Sequence, residues 1–370
     1  MADSIKPRPE VKRQRHTIHG GLDFAEIAQM GLEEDAILDF SVNSNPLGPS
    51  PRIRAVWESL RVERYPDRDC LTLRAALASR HRLTPAQIQV GNGGTELIWL
   101  LAMAYLRPCD TLLVIGPTFG EYAAAGEMMG ARLATVNARS KEGFRPDTKR
   151  IIALIRRIRP RLTFLCNPNN PTGIYLDRSD VQSLLAACTS GLLVLDEAYI
   201  SFVDNAWSSV SLLKTGRLVV LRSMTKDHAL AGLRLGYLLA AENVVDIVGR
   251  VQPSWSVNAV AQKAGIVTLG EEEYLQHTLA QIAAAKIEFV KQLRQIGLRV
   301  WPSSTLFFLV ETGDAAATRT GLLKRGMLVR DCSSFGLPAF VRVSTRRPEE
   351  NRRLVAAWRA RLRDETREET

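Results

Sequence analysis

The sequence predicts an α/β fold, with a mostly parallel sheet sandwiched by helices and a smaller α+β unit beside it. Three observations carry this reading. Short, largely apolar runs over 111–115, 162–166, 192–195 and 218–221 are separated, in most cases, by helical stretches of about a dozen residues, the pattern of strands buried on both faces. Glycine, proline and asparagine cluster where these runs stop, as at Asn167-Pro168-Asn169-Asn170-Pro171-Thr172-Gly173. The chain has 370 residues, 46% hydrophobic and 24% charged, enough to bury one large core or two moderate ones.

Residues 1–17 are polar and basic and read as a mobile arm. A helical stretch from Leu22 leads to a strand over 37–41, followed by the turn-rich Asn43-Ser44-Asn45-Pro46-Leu47-Gly48-Pro49. Amphipathic helices are expected over 53–60 and 71–81. Strand 88–90, a glycine turn and helix 95–106 come next, then strand 111–115 and helix 122–129. Strand 133–136, helix 148–158, strand 162–166 and helix 179–188 continue the alternation, which ends on strands 192–195 and 218–221. A long helical region over 241–296 leads to strands 298–301, 307–310, 327–329 and 339–343, interleaved with two helices. The expected partition is an arm (1–17), an N-terminal segment joining the small domain (18–60), a large domain (61–285), a small domain (286–365) and a tail (366–370).

Bulk properties exclude several classes. No apolar run approaches the roughly 18 residues of a membrane span, and the N-terminus lacks a secretory pattern. Five scattered cysteines, without CxxC spacing, indicate reduced thiols in a cytoplasm rather than a disulfide frame or a zinc site, and no metal is expected. The net charge of +10 raises nucleic acid as a partner. The basic residues are spread along the chain, however, and no nucleic-acid-binding motif accompanies them. A small anionic substrate uses the same field, and neither nucleic acid nor membrane is an expected partner.

The chemistry falls at the strand ends, where ligands bind in open α/β sheets. Lys226 is flanked by the hydroxyls of Ser223 and Thr225 and followed by Arg234. A lone lysine in a polar turn is ordinarily a surface residue. In this company it has the equipment to hold a phosphorylated aldehyde as a Schiff base. Gly91-Asn92-Gly93-Gly94-Thr95 offers glycines and a helix N-terminus to an anion, although a lone glycine turn of this kind is weak evidence. Phe119, at another strand end, suits a planar ligand or an ordinary core. Asp196 ends an apolar strand, where a carboxylate needs a cationic partner or serves as a helix cap.

Taken together and in this order, the NNPTG run (169–173), Asp196-Glu197-Ala198-Tyr199 and Ser223-Met224-Thr225-Lys226 with Arg234 resemble fold-type-I pyridoxal 5′-phosphate enzymes of the class I/II aminotransferase superfamily. The resemblance covers about residues 18–365. It implies that Lys226, Asp196 and Tyr199 are catalytic: Lys226 holds the cofactor covalently and Asp196 pairs with its ring nitrogen. It further implies that Tyr199 and Asn170 hold the phenolic oxygen and that Phe119 stacks on the ring. Gly94, Thr95, Ser223, Thr225 and Arg234 would bind the phosphate. Tyr65 would reach the cofactor phosphate of a neighbouring subunit, which makes the enzyme a homodimer with a shared active site.

Within the superfamily two groups are closest. His19-Gly20-Gly21, Asp39-Phe40-Ser41-Val42-Asn43-Ser44-Asn45-Pro46-Leu47-Gly48, Leu221-Arg222-Ser223-Met224-Thr225-Lys226 and Val329-Arg330-Asp331-Cys332 are similar to L-threonine-O-3-phosphate decarboxylases. These make (R)-1-aminopropan-2-ol phosphate from O-phospho-L-threonine for cobalamin biosynthesis. Histidinol-phosphate aminotransferases share the core motifs and are the alternative. The resemblance implies substrate contacts from His19, Gly20, Asn43 and Asn170, with Arg330 and Arg342 gripping two anionic groups of a phosphorylated amino acid or amine. Leu22 after His-Gly-Gly, and Asp227-His228 after the lysine, depart from the decarboxylase pattern, and both departures are expected near the substrate. A non-catalytic, cofactor-binding regulator is the remote alternative, disfavoured because Lys226, Asp196 and Arg234 are all retained.

Overall fold

The apolar runs become strands because each can bury both faces between helices. The structure, a computed structural model, describes residues 5–14, 16–58 and 60–368. The chain enters through α1 (Pro9–Arg13) and α2 (Phe24–Gln29), the latter capped by Asp23, whose carboxylate accepts from the Ala25 and Glu26 amides. Strand β1 (Leu38–Asp39) and helices α3 (Arg54–Glu58) and α4 (Leu71–His81) follow. Then β2 (Ile88–Asn92) feeds α5 (Gly93–Tyr105), and β3 (Thr111–Gly116) feeds α6 (Glu121–Met128). Next, β4 (Arg132–Asn137) feeds α7 (Thr148–Ile158), and β5 (Leu162–Cys166) feeds α8 (Arg178–Ala187). Strands β6 (Leu192–Asp196), β7 (Leu218–Ser223) and β8 (Leu235–Leu239) complete this part.

The seven strands are ordered β2-β8-β7-β6-β5-β3-β4. Strand parity divides the core. Leu113, Leu165, Leu195 and Val220 pack towards α4, α7, α8 and residues 259–269, whereas Val114, Phe164, Val194 and Val219 pack towards α5, α6 and residues 242–251. The sheet is parallel except for β8, which pairs antiparallel with both β2 and β7. The sequence reading has no strand there. Residues 224–234 are too few for the crossover of a dozen or more residues that a parallel neighbour requires, so the chain doubles back.

The long helical region is three helices, α9 (Glu242–Val251), α10 (Ala259–Leu269) and α11 (Glu272–Gln295). After it come β9 (Arg299–Val300), β10 (Phe307–Glu311), α12 (Ala315–Leu323), β11 (Met327–Leu328), β12 (Arg330–Asp331), β13 (Phe340–Ser344) and α13 (Pro348–Glu368). Four of these strands form an antiparallel sheet ordered β12-β13-β10-β9. Val341 and Val343 of β13 and Phe308 and Val310 of β10 enter a core with Phe289, Leu354 and Trp358. The alternate residues, Arg342 and Phe307, face the other way. The N-terminal segment is tied here, because β1 pairs with β11 and Phe40 O accepts from the Ser344 amide at 3.0 Å.

Both termini carry more structure than their composition suggests. The basic arm holds α1, and Arg8 Nη2 donates to Met128 O at 2.8 Å, so the arm lies along α6. Residues 1–4 and 15 of that arm lie outside the described residues. Helix α13 continues to Glu368, through most of the stretch read as a tail, whose residues 369–370 also lie outside them. No described helix is long and apolar enough to cross a membrane.

Candidate active site

The carboxyl ends of β3, β5, β6 and β7 converge on a cleft of about 800 Å³. Among the residues singled out in the sequence, His19, Gly20, Asn43, Thr95, Phe119, Asn170, Tyr199, Lys226, Arg234, Arg330 and Arg342 line it. Asp196 lies buried beneath, as the last residue of β6. Ser223 and Thr225 sit beside Lys226, with their hydroxyls 2.7 Å apart. Gly94 belongs to the first turn of α5. Tyr65 is elsewhere: its side chain is 81% exposed, it does not line the cleft of its own chain, and its ring packs on Trp255 at 4.7 Å.

Two arginines define the far wall. Arg330 and Arg342 are directly paired across β12 and β13, so both side chains rise from one face. Like charges placed opposite each other cost stability, and both of these are buried. Neutral partners hold them. Arg342 donates to Asn170 Oδ1 and, at 2.5 Å, to Ser41 O, while Arg330 donates to Ile18 O at 2.8 Å and Ser334 Oγ at 2.7 Å. Burial, with the other guanidinium adding to it, moves the pKa of Arg330 downwards, and burial lowers that of Arg342 too. Arg342 Nε has no partner among the described residues. A pair of this kind is arranged for an anion.

Lys226 has the opposite need. Burial, then the nearby charges of Arg342 and Arg234, bring its amine down to about 8. Its Nζ has no hydrogen bond among the described residues and lies 6.0 Å from the Tyr199 ring centre. A tenth or so of the amine is neutral at pH 7, against a few in 10⁴ for an ordinary lysine. Neutral amine is the form that attacks a carbonyl. Cofactor capture by the apo protein is therefore expected to quicken with pH up to about 8 and level off above it, followed by stopped-flow absorbance. A midpoint near the ordinary lysine value would contradict the assigned environment.

The other groups suit a phosphorylated pyridine ring. Asp196 accepts from Tyr122 OH at 2.6 Å and from the Ala198 amide at 2.9 Å. Burial lifts its pKa, while these bonds and Lys226 pull the other way, so a cationic ring nitrogen would favour the carboxylate. Tyr199, pushed up to about 12 by burial, remains a hydroxyl donor and lies near Asn43 Nδ2 (3.4 Å), whose Oδ1 is buried without a partner. At the phosphate end, α5 presents free N-terminal amides. A Cβ on Gly93 would come within 2.8 Å of Arg234 Nη2, so the glycine, at φ +78°, keeps that approach open. Pyridoxal 5′-phosphate fits this set: Lys226 would link it, Asp196 and Phe119 would hold its ring, and α5 with Ser223, Thr225 and Arg234 would hold its phosphate.

Two expectations are corrected. Leu22 packs with Ile27, Ile37 and Leu328, away from the cleft. Asp227 and His228 do not line the cleft either. Asp227 is buried, accepts from Ser201 Oγ at 2.5 Å, and its carbonyl takes the Asn45 side chain. Both departures from the decarboxylase pattern are therefore packing features. Sequence reading also missed residues that matter. Tyr122 and Glu121, just after the Gly-Pro-Thr-Phe turn, hold Asp196 and His19. Their position at the start of a helix following a strand end was the available signal.

The family described as Aminotransferase class I and II matches residues 35–357. A histidinol-phosphate aminotransferase of Symbiobacterium thermophilum is 35% identical over 339 residues, 90% of this chain and 92% of that one. Among solved structures, L-threonine-O-3-phosphate decarboxylase of Porphyromonas gingivalis is 29% identical, with TM-score 0.77 over 88% of this chain and 99% of that one. Histidinol-phosphate aminotransferase of Sinorhizobium meliloti, in complex with pyridoxal 5′-phosphate, has TM-score 0.87 at 22% identity, covering 98% and 99% of the two chains.

Proposed function

The chain belongs to the class I and II aminotransferase family and uses pyridoxal 5′-phosphate, and from this we propose that it transfers the amino group of a small phosphorylated amine. The type is that of histidinol phosphate, with 2-oxoglutarate as acceptor. The observation that carries the substrate class is the Arg330–Arg342 pair, two buried guanidiniums side by side in a cleft already furnished with Arg234 for the cofactor. Pyridoxal phosphate supplies an electron sink for cleavage of a bond at the substrate's amine-bearing carbon. With it bound, Lys226 would hold and move a proton, Tyr199 would donate from its hydroxyl, and Arg330, Arg342 and Asn170 would orient anionic groups.

The sequence motifs rank a decarboxylase of O-phospho-L-threonine first. The 35%-identical relative favours the aminotransferase, and the order is reversed here. One observation keeps the decarboxylase as the second reading: the His19–Gly20 segment, part of the decarboxylase-like wording, lines the cleft. That reading entails (R)-1-aminopropan-2-ol phosphate as product and a place in cobalamin biosynthesis. A homodimer is supported by Tyr65, which does not line this cleft of its own chain and stands exposed beside Trp255, where it would reach a neighbouring subunit. The free cysteines suit a cytoplasmic setting.

Two incubations of the cofactor-loaded protein separate the readings. L-histidinol phosphate with 2-oxoglutarate is expected to yield glutamate at a steady rate. O-phospho-L-threonine without a keto acid is expected to release no more than trace CO₂. Sustained CO₂ release in the second, with no glutamate in the first, would overturn the aminotransferase in favour of the decarboxylase.

A further inference from the structure

The cleft mouth is crossed by residues 17–20, and this segment is held from three sides. Arg330 Nη2 takes the Ile18 carbonyl from the small sheet. Gly20 lies so close to the next strand's continuation that a Cβ there would stand 2.5 Å from Ser41 O, and the Gly21 amide donates to Ser41 Oγ at 2.8 Å. The third hold is a side chain on α6. Glu121, only 7% exposed, accepts from His19 Nε2 at 2.9 Å on one oxygen and from Trp99 Nε1 at 2.8 Å on the other, and Thr17 bonds it as well. Next to it, Gly120 has no room for a side chain, because a Cβ would meet Thr17 Cγ2 at 2.9 Å.

We propose that Glu121 is a positioning residue, which latches the Thr17–His19 segment across the cleft mouth and sets the His19 imidazole towards the substrate. The chemistry follows from the pairing. A buried carboxylate needs donors, and His19 Nε2, Trp99 Nε1 and Thr17 supply them. By accepting from Nε2, Glu121 fixes the orientation of the ring and leaves Nδ1 for the substrate. The ring rests 5.5 Å from Phe119, so the same contact sets it against the residue placed beside the cofactor. Glu121 itself does not line the cleft, and its effect on substrate passes through His19. The N-terminal segment and the cofactor-binding helices thus form one substrate wall.

This inference rests on the reading of the cleft as a site for a phosphorylated amine, and its test is built to fail separately. Hydrogen exchange of cofactor-loaded protein, without substrate, is compared for wild type and Glu121→Gln. Exchange over residues 16–21 is expected to rise about tenfold in the variant while the bound-cofactor absorbance stays unchanged. Kinetics with L-histidinol phosphate, or with O-phospho-L-threonine if that is the compound turned over, should show KM up about tenfold and kcat within about twofold. His19→Asn should reproduce the KM effect, and the double variant should add little to either single change. Unchanged exchange over 16–21 overturns the latch whatever the substrate is. Additive KM effects of the two substitutions overturn the action through His19. Turnover of neither compound, with exchange raised as expected, counts against the proposed function and leaves the latch supported.

Discussion

Lys226→Ala protein, loaded with pyridoxal 5′-phosphate and dialysed, is expected to lose the visible absorbance of covalently held cofactor and at least about 10³ of its activity. The size follows from how completely the site is built around one amine. Arg342 and Arg234 lower its pKa together with burial, Asn45 N fixes the neighbouring backbone by donating to Lys226 O at 2.8 Å, and the Nζ competes with no hydrogen bond of its own. Among the described residues no other amine lines the cleft. Alanine also removes the lysine charge that pulls Asp196 towards its charged form. An unchanged visible spectrum in the variant would sink the assignment of Lys226, and with it the reading of the cleft. The variant should fold, because a half-buried, unpaired lysine amine contributes no contact that the core depends on.

Much of this was legible in the sequence, for a physical reason. A parallel sheet puts its chemistry at strand ends, so residues following apolar runs could be collected without knowing strand order: Phe119 after β3, Asn170 after β5, Asp196 on β6, Lys226 after β7. Even Arg330 and Arg342, widely separated in sequence from the rest, arrive in the same cleft. What could not be read is what depends on pairing across the fold. Strand β8 escaped because its run, Leu235–Leu239, continues into Ala240 and Ala241 and so merges with the helical pattern behind it. Tyr122 is 74 residues from Asp196 in sequence and Glu121 is 102 from His19, and nothing local announces either bond. The placing of Leu22 and Asp227 near the substrate failed for the same reason. Proximity in a motif gave their distance along the chain, while the pleat and the turn decided which way they face.

Asp196→Ala is expected to lower kcat on the order of 10³-fold while changing substrate KM far less, measured by steady-state kinetics on cofactor-saturated protein. The reasoning starts from the energetic cost of the native arrangement. A carboxylate ends an apolar strand, wholly enclosed, and burial raises its pKa despite a tyrosine hydroxyl, a backbone amide and a lysine that favour the anion. Among the described residues no guanidinium is paired with it, although Arg234, Arg330 and Arg342 line the same cleft. Such a group is tolerated where a cation completes the site, and on the proposed reading the ring nitrogen of the cofactor would be that cation. Its charge then matters most when electrons move into the ring, a demand made in the transition state and not by substrate binding. Asp196→Asn sharpens the point, since an amide can still accept from Tyr122 yet carries no charge. Asparagine rescuing most of the alanine loss would assign Asp196 to the Tyr122 contact alone. Equal losses in kcat and in substrate affinity would remove it from the chemistry and leave it as a strut of the cleft floor.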